Sequence, residues 1–201
     1  MSFQKRLQNI PREQYKGFIF DMDGVLFDTA YANKMAYKQA FEQMELAWDG
    51  DRFDRSRGLA FAEMLAMCGH TLPPDEIRTL RALKAELYKD QAQHIRINQR
   101  LFSFIQEVAS SHRVGLASSA SRVNGEFLLE HFGVRELFEY TLFSNDVQVH
   151  KPDPECYLRM MGLLELSAND TLIFEDSEVG IQAARGSKAE CFIVLPEDFL
   201  S

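Results

Sequence analysis

Residues 17–29 read Gly17-Phe18-Ile19-Phe20-Asp21-Met22-Asp23-Gly24-Val25-Leu26-Phe27-Asp28-Thr29. Gly17 to Phe20 form a short apolar, aromatic and β-branched run, which predicts a buried strand. The run ends in two aspartates, Asp21 and Asp23, with Gly24 directly after. Buried strands of a parallel sheet seldom accept carboxylates, but open α/β sheets place their ligands at the carboxyl ends of the strands. Alternation along the extended chain sends the two acidic side chains the same way. Gly24 lets the chain turn away closely behind them. Two acids so placed suit a cation site and a reactive carboxylate. The plainer reading is a strand followed by an acidic turn, because Asp-x-Asp alone is common.

The bulk properties narrow the classes. A chain of 201 residues, 46% of them apolar, can bury one sizeable core with room for an insertion. A net charge of -8 and a pI near 5.2 argue against non-specific nucleic-acid binding, which needs a basic footprint. An acidic protein still binds an anion where local cations or a metal reverse the sign. Cys68, Cys156 and Cys191 are odd in number and widely spaced, which predicts neither a disulfide framework nor a zinc site. The first 16 residues lack the apolar core of a secretory leader, and no run approaches the length of a membrane span. The cytoplasm is the expected location.

The rest of the chain alternates in type. Phe3, Leu7 and Ile10 are spaced for a short amphipathic helix stopped near Pro11, but the expected reading of this segment is an ordered lead-in to the first strand. Thr29 to about Ile95 reads as helices only, with Asp28 and Thr29 at an N-cap, apolar stripes at helical spacing, a polar loop over 49–58 and a helix start at Pro73-Pro74. Beyond it come a helix over 101–108, a strand over 113–118, a helix over 123–132 closed by Gly133 and a strand over 140–143. A helix over 154–161 ends at Gly162, a strand spans 171–174, a helix spans 179–185, and a last strand spans 191–195. This predicts an α/β fold with a Rossmann-like, doubly wound parallel sheet. Its core is formed by residues 1–28 and 96–201, with residues 29–95 inserted between the first two strands.

Unusual polar residues fall at four strand ends or just past them: Asp21 and Asp23; Ser118 and Ser119; Lys151 in Val-His-Lys-Pro-Asp-Pro; and Glu175 with Asp176. In a parallel sheet these ends share one edge. The set contains acids for a hard divalent cation, a hydroxyl donor and one ammonium, which is what phosphoryl transfer needs. An aspartate passes through an aspartyl-phosphate as covalent nucleophile. A magnesium ion offsets the repulsion between carboxylate and phosphate. A lysine ~4 Å from the phosphate is worth on the order of 4 kcal/mol at an effective dielectric of about 20. Singly, each motif has an ordinary explanation: a helix N-cap at Ser118-Ser119, a loop at Lys151-Pro152, a solvated helix start at Glu175-Asp176.

In order, Asp21-Met22-Asp23-Gly24-Val25, Ser118, Lys151-Pro152 and Glu175-Asp176-Ser177 resemble the four motifs of the haloacid dehalogenase superfamily. The helical insertion resembles that family's mobile cap. Phe-Glu-Asp-Ser with Gly180 and Ala183-Ala184, Gly125 to Glu130, and Lys84 with Tyr88 resemble its β-phosphoglucomutase and sugar-phosphatase branch. The resemblance implies Asp21 as nucleophile and magnesium ligand, and Asp23 as general acid and base with its carbonyl on the metal. Ser118, with Ser119 beside it, would hold the phosphate, Lys151 would pair with Asp21 and the phosphate, and Asp176 with Glu175 would complete the Mg2+ site. The implied activity is a magnesium-dependent phosphatase of a small phosphorylated metabolite, most readily a sugar phosphate. A phosphosugar mutase and a non-catalytic binding relative are the alternatives. Neither nucleic acid nor membrane is an expected partner, and a monomer or weak dimer is the expected state.

The chain also departs from that pattern. Asn33 stands where many relatives carry a histidine, and residues 95–100 lack the usual Pro-Gly. Phe61 stands where a mutase arginine is expected, three residues after Gly58; Arg55 and Arg57, just before that glycine, are either substitutes or simply solvated. The loop after Ser118 is one residue longer, which leaves Arg122 a weak substrate-contact candidate. The residues after Gly186 lack Ala-Gly-Met. All five histidines lie outside the constellation.

Overall fold

The computed structural model describes residues 1–56, 59 and 61–199. The chain divides into two compact units, Met1–Asp28 with Arg96–Ser201, and Thr29–Ile95.

The larger unit is built on five parallel strands, β1 (Gly17–Phe20), β4 (Arg113–Ala117), β5 (Tyr140–Leu142), β6 (Thr171–Glu175) and β7 (Glu190–Ile193), in the order β5-β4-β1-β6-β7. The expected α/β parallel sheet is therefore present. Strands β1 and β6 are buried throughout, as continuous apolar runs covered on both faces should be. Period-two alternation divides their side chains. Phe18, Phe20 and Phe174 face one side, where Phe104 of helix α6 (Gln99–Val108) packs among them at 5.2–6.5 Å between centroids. Ile19, Ala117 and Ile173 face the other. There they meet Tyr157 and Met160 of α8 (Glu155–Leu163) and Ala183 and Ala184 of α9 (Glu178–Gly186). The same alternation directs Asp21 and Glu175 toward the α8 face.

Several boundaries differ from the sequence expectation. The helix expected to end at Gly162 runs to Leu163, and Glu165 takes the left-handed turn at φ 55°. Leu164, wholly buried, anchors that last turn more strongly than Gly162 weakens it. After α9 it is Lys188, at φ 67°, that reverses the chain. The N-terminal segment forms a helix, α1 (Phe3–Gln8), which buries Phe3 and Leu7 and ties Arg6 to Asp198 at 3.1 Å. An antiparallel pair, β2 (Phe27–Asp28) with β3 (Arg96–Ile97), was not legible in the sequence. It joins the two ends of the insertion, with Arg96 ion-paired to Asp28.

The inserted unit is helical: α2 (Ala30–Gln43), α3 (Gly50–Arg55), α4 (Phe61–Met67) and α5 (Pro74–Lys89). Helix α3 replaces part of the loop expected over 49–58. Asp49 caps it, accepting from the Asp51 and Arg52 N–H groups at 3.1 and 3.0 Å, and Phe53 buries itself against Tyr37 and Trp48. Thr29 precedes α2 but its side chain caps no helical N–H; its Oγ1 accepts from Asn33 Nδ2 at 3.2 Å. Lys84 is buried, donates to Asn33 Oδ1 at 2.7 Å and lies 4.3 Å from the Tyr88 ring centroid. Arg55 is exposed on α3, and Arg81 covers Phe61 at 4.3 Å. Arg57 and Gly58 lie outside the described residues.

Candidate active site

Sheet register assembles the site. Phe20 pairs with Leu116 on one side and Phe174 on the other. One residue further on, Asp21 donates its N–H to the Phe174 carbonyl at 3.0 Å and lies level with Ala117 and Glu175. The loop before α8 delivers Lys151 into the same space. Its ammonium donates to Asp21 Oδ1 at 2.6 Å, to Glu175 Oε1 at 2.7 Å and to the Ala117 carbonyl at 3.3 Å, with the side chain only 4% exposed. Asp21, Lys151, Glu175 and Asp176 are thus brought together at the carboxyl edge of the sheet.

Two glycines make the space. Gly24 adopts φ 81°, and a Cβ there would lie 2.0 Å from Asp176 Oδ2. It turns the chain just after half-buried Asp23, and its N–H closes the loop on the Phe27 carbonyl at 2.7 Å. On α9, a Cβ at Gly180 would lie 1.8 Å from Glu175 Oε1. Glu175, wholly buried, fills that space and accepts from five donors: Lys151 Nζ, Tyr157 Oη, the Asp176 and Ser177 N–H groups and Ser177 Oγ.

The serines differ. Ser118 is buried at the end of β4, where its Oγ accepts from the Ala120 N–H at 3.0 Å and keeps its own proton to donate. Ser119 is exposed at the next position. Arg122 is committed elsewhere, to Glu126 at 2.7 Å and to both oxygens of Asp146 at 2.6 Å. These pairs stabilise the start of α7 (Arg122–His131). Tyr157 is the site residue that sequence reasoning missed. The available signal was a tyrosine on the core face of a helix directly after the lysine loop, since a buried hydroxyl takes a partner.

Electrostatics at this edge are strained by an excess of acids. Burial, then repulsion from Glu175, Asp176 and Asp23, pushes the Asp21 pKa well above the carboxylate range against the pull of Lys151. Burial opposes ionisation of Glu175 too, but Lys151, Tyr157 and Ser177 outweigh it and its pKa is lowered. Burial alone would lower Lys151; the Asp21 and Glu175 carboxylates reverse this and raise it. A raised Asp21 and a raised Lys151 pull in opposite senses if Asp21 is the only counter-ion. They agree once ionised Glu175 balances the ammonium. Asp176 is pushed up to about 7 by desolvation, then by Glu175 and Asp23. Carboxylate oxygens of Asp21, Glu175 and Asp176 lie within 4.8 Å of one another. A magnesium ion with oxygens at about 2.1 Å spaces opposite ligands about 4.2 Å apart. The hard oxygen set and the surplus negative charge both fit such an ion.

Comparison with known proteins agrees with this geometry. The family model described as haloacid dehalogenase-like hydrolase matches residues 18–194. A phosphorylated carbohydrates phosphatase of Thermotoga maritima is 29% identical over 185 residues, covering 86% of this chain and 81% of its own. A beta-phosphoglucomutase of Bacillus subtilis is 28% identical over 185 residues, with 86% and 80% covered. The crystal structure of CbbY from Rhodobacter sphaeroides in complex with phosphate shares the fold, with a TM-score of 0.79 at 23% identity over 89% of this chain and 85% of that one. No helix among the described residues is long and apolar enough to cross a membrane. The chain belongs to the haloacid dehalogenase-like hydrolases.

Proposed function

We propose that this protein is a magnesium-dependent phosphatase of a small phosphorylated metabolite, with a sugar phosphate as the substrate class. The observation that carries the reading is the Lys151 ammonium held at 2.6 Å from Asp21 and 2.7 Å from Glu175, with Asp176 alongside. An ammonium fixed beside a carboxylate at the carboxyl edge of a parallel sheet is suited to bringing that carboxylate against a phosphate. The phosphatase relative at 29% identity supports the substrate class.

In this mechanism Asp21 attacks phosphorus, the phosphorus–oxygen bond to the leaving group breaks, and Asp23 gives that oxygen a proton. Asp23 then takes a proton from water, the water oxygen attacks phosphorus, and the bond to Asp21 breaks to restore the carboxylate. Ser118, with Ser119 beside it, and Lys151 hold the non-bridging oxygens. Asp21, Asp176 and the Asp23 carbonyl would hold the magnesium ion, with Glu175 next to them. When bound, the ion supplies positive charge that lowers repulsion between the nucleophile and the phosphate. Substrate selection is assigned to the inserted helical unit, residues 29–95.

Mutase chemistry shares the first half-reaction, and the beta-phosphoglucomutase relative keeps it as the second reading. A mutase must bind a second phosphate, for which arginine is the natural group. Phe61 at the expected position can make no such contact, and of the two candidate substitutes Arg55 is exposed on α3. Supplying a hexose 1-phosphate with a trace of the bisphosphate tests both readings. Magnesium-dependent release of inorganic phosphate should dominate. Accumulation of hexose 6-phosphate ahead of free phosphate makes the protein a mutase. No turnover of this or of p-nitrophenyl phosphate with magnesium makes it a non-catalytic relative.

A further inference from the structure

We propose that Tyr157 is a positioning residue: its hydroxyl fixes the Glu175 carboxylate and, through it, the placement of the Lys151 ammonium against Asp21. What Lys151 does there rests on the phosphatase reading; how Tyr157 holds it does not.

Tyr157 is wholly buried and touches both members of an ion pair. Its hydroxyl donates to Glu175 Oε1 at 2.7 Å, and its ring faces Lys151, with Nζ 4.8 Å from the centroid. Lys151 donates to the same Oε1 at 2.7 Å, while Oε2 accepts from the Asp176 N–H at 2.9 Å and from the Ser177 N–H and Oγ at 3.1 Å. A carboxylate offers about four lone-pair sites. Five donors therefore leave Glu175 none to give a metal ion without losing a protein partner. Although its oxygens lie near those of Asp21 and Asp176, Glu175 acts as a clamp and the other two act as ligands. The clamp has a built seat on the α9 side, where the bare backbone of Gly180 leaves room for its oxygens.

The consequence follows from sharing. Lys151 is suspended between two carboxylates at nearly equal distances, 2.6 Å to Asp21 and 2.7 Å to Glu175. The Tyr157 proton takes up part of the negative charge on Glu175 Oε1 and so leaves the ammonium to Asp21. Without that proton, Oε1 draws Lys151 toward itself. Asp21 then loses part of its neutralising partner, while the oxygens of Asp21 and Asp176 that would face magnesium are unaltered.

Tyr157→Phe in the full-length protein keeps the ring, its packing and its face toward Lys151, and removes the hydroxyl alone. Turnover of p-nitrophenyl phosphate should fall about ten- to a hundredfold, the range expected when a reacting group is misplaced. The magnesium concentration for half-maximal rate should not change. A crystal structure of the variant should show the Lys151 ammonium displaced from Asp21 toward Glu175. Wild-type turnover with Lys151 in its original place overturns the proposal. So does a raised magnesium requirement at unchanged maximal rate, because Glu175 would then be a metal ligand tuned by Tyr157. If the wild-type protein turns over nothing, the phosphatase reading fails, and the position of Lys151 in the variant crystal still decides this proposal. Should Tyr157→Phe not fold, Tyr157→Met fills the space without a donor and is read by the same Lys151 displacement.

Discussion

The Lys151 ammonium lies 2.6 Å from Asp21 Oδ1, a contact between residues 130 apart in the chain. Strand β1 brings the carboxylate and the loop before α8 brings the ammonium, and both are buried. Removing Lys151 would leave buried carboxylates without their counter-charge, which costs far more than losing a surface ion pair, whereas removing Asp21 leaves the ammonium paired with Glu175 at 2.7 Å. The contact therefore persists because the strand edge, the Glu175 clamp and the surrounding protein all enforce it.

With Asp23 as the proposed general acid and base, Asp23→Ala should lower the rate by roughly 10²–10⁴. The loss should shrink for esters whose leaving groups need no proton. A series of aryl phosphates of graded leaving-group pKa measures this directly. An equal loss across the series would assign Asp23 a structural role only.

Gly180 has no room for a side chain, since an added Cβ would meet Glu175 Oε1 at 1.8 Å. Gly180→Ala should therefore destabilise the fold by about 1–3 kcal/mol, the usual cost of overpacking, and should reduce turnover by shifting Glu175. Chemical denaturation and steady-state kinetics read the two effects. Wild-type stability together with wild-type turnover would show that Glu175 has slack in its seat.

The Asp21 and Asp176 carboxylates, with the Glu175 clamp beside them, should make magnesium a stabilising ligand. At a concentration about 100 times its dissociation constant, an ion bound only by the folded state adds ~2.7 kcal/mol. Thermal unfolding with and without magnesium should show the rise, and Asp176→Asn should remove most of it. A full magnesium response in Asp176→Asn would take Asp176 out of the metal site.

The legible features were those written locally. The Gly17–Phe20 strand appears with the bounds read from its apolar run, because four buried residues ending in acids have few other uses. Lys151 and Asp176 were legible as motif residues at strand ends, and their meeting point followed from parallel topology. The features that escaped are set by distant contacts or by very short elements. Tyr157 gains its role from Glu175, 18 residues away, a pairing that helical periodicity does not encode. Strands β2 and β3 are two residues each, too short for alternation to show. Helix α3 was hidden by its polar composition; its signals were the Asp49 cap and the single buried Phe53. Gly162 suggested a helix end, but burial of Leu164 outweighed the propensity of one glycine.

The central claim is that Asp21 carries the phosphoryl group. The direct measurement is to quench the enzyme during turnover, reduce the acyl phosphate with borohydride and locate the modified residue by mass spectrometry. The account predicts modification at Asp21 alone, together with an Asp21→Asn protein that folds, takes no label and releases no phosphate above background. Magnesium-dependent turnover by Asp21→Asn, or a trapped phosphoryl group on any other residue, contradicts it.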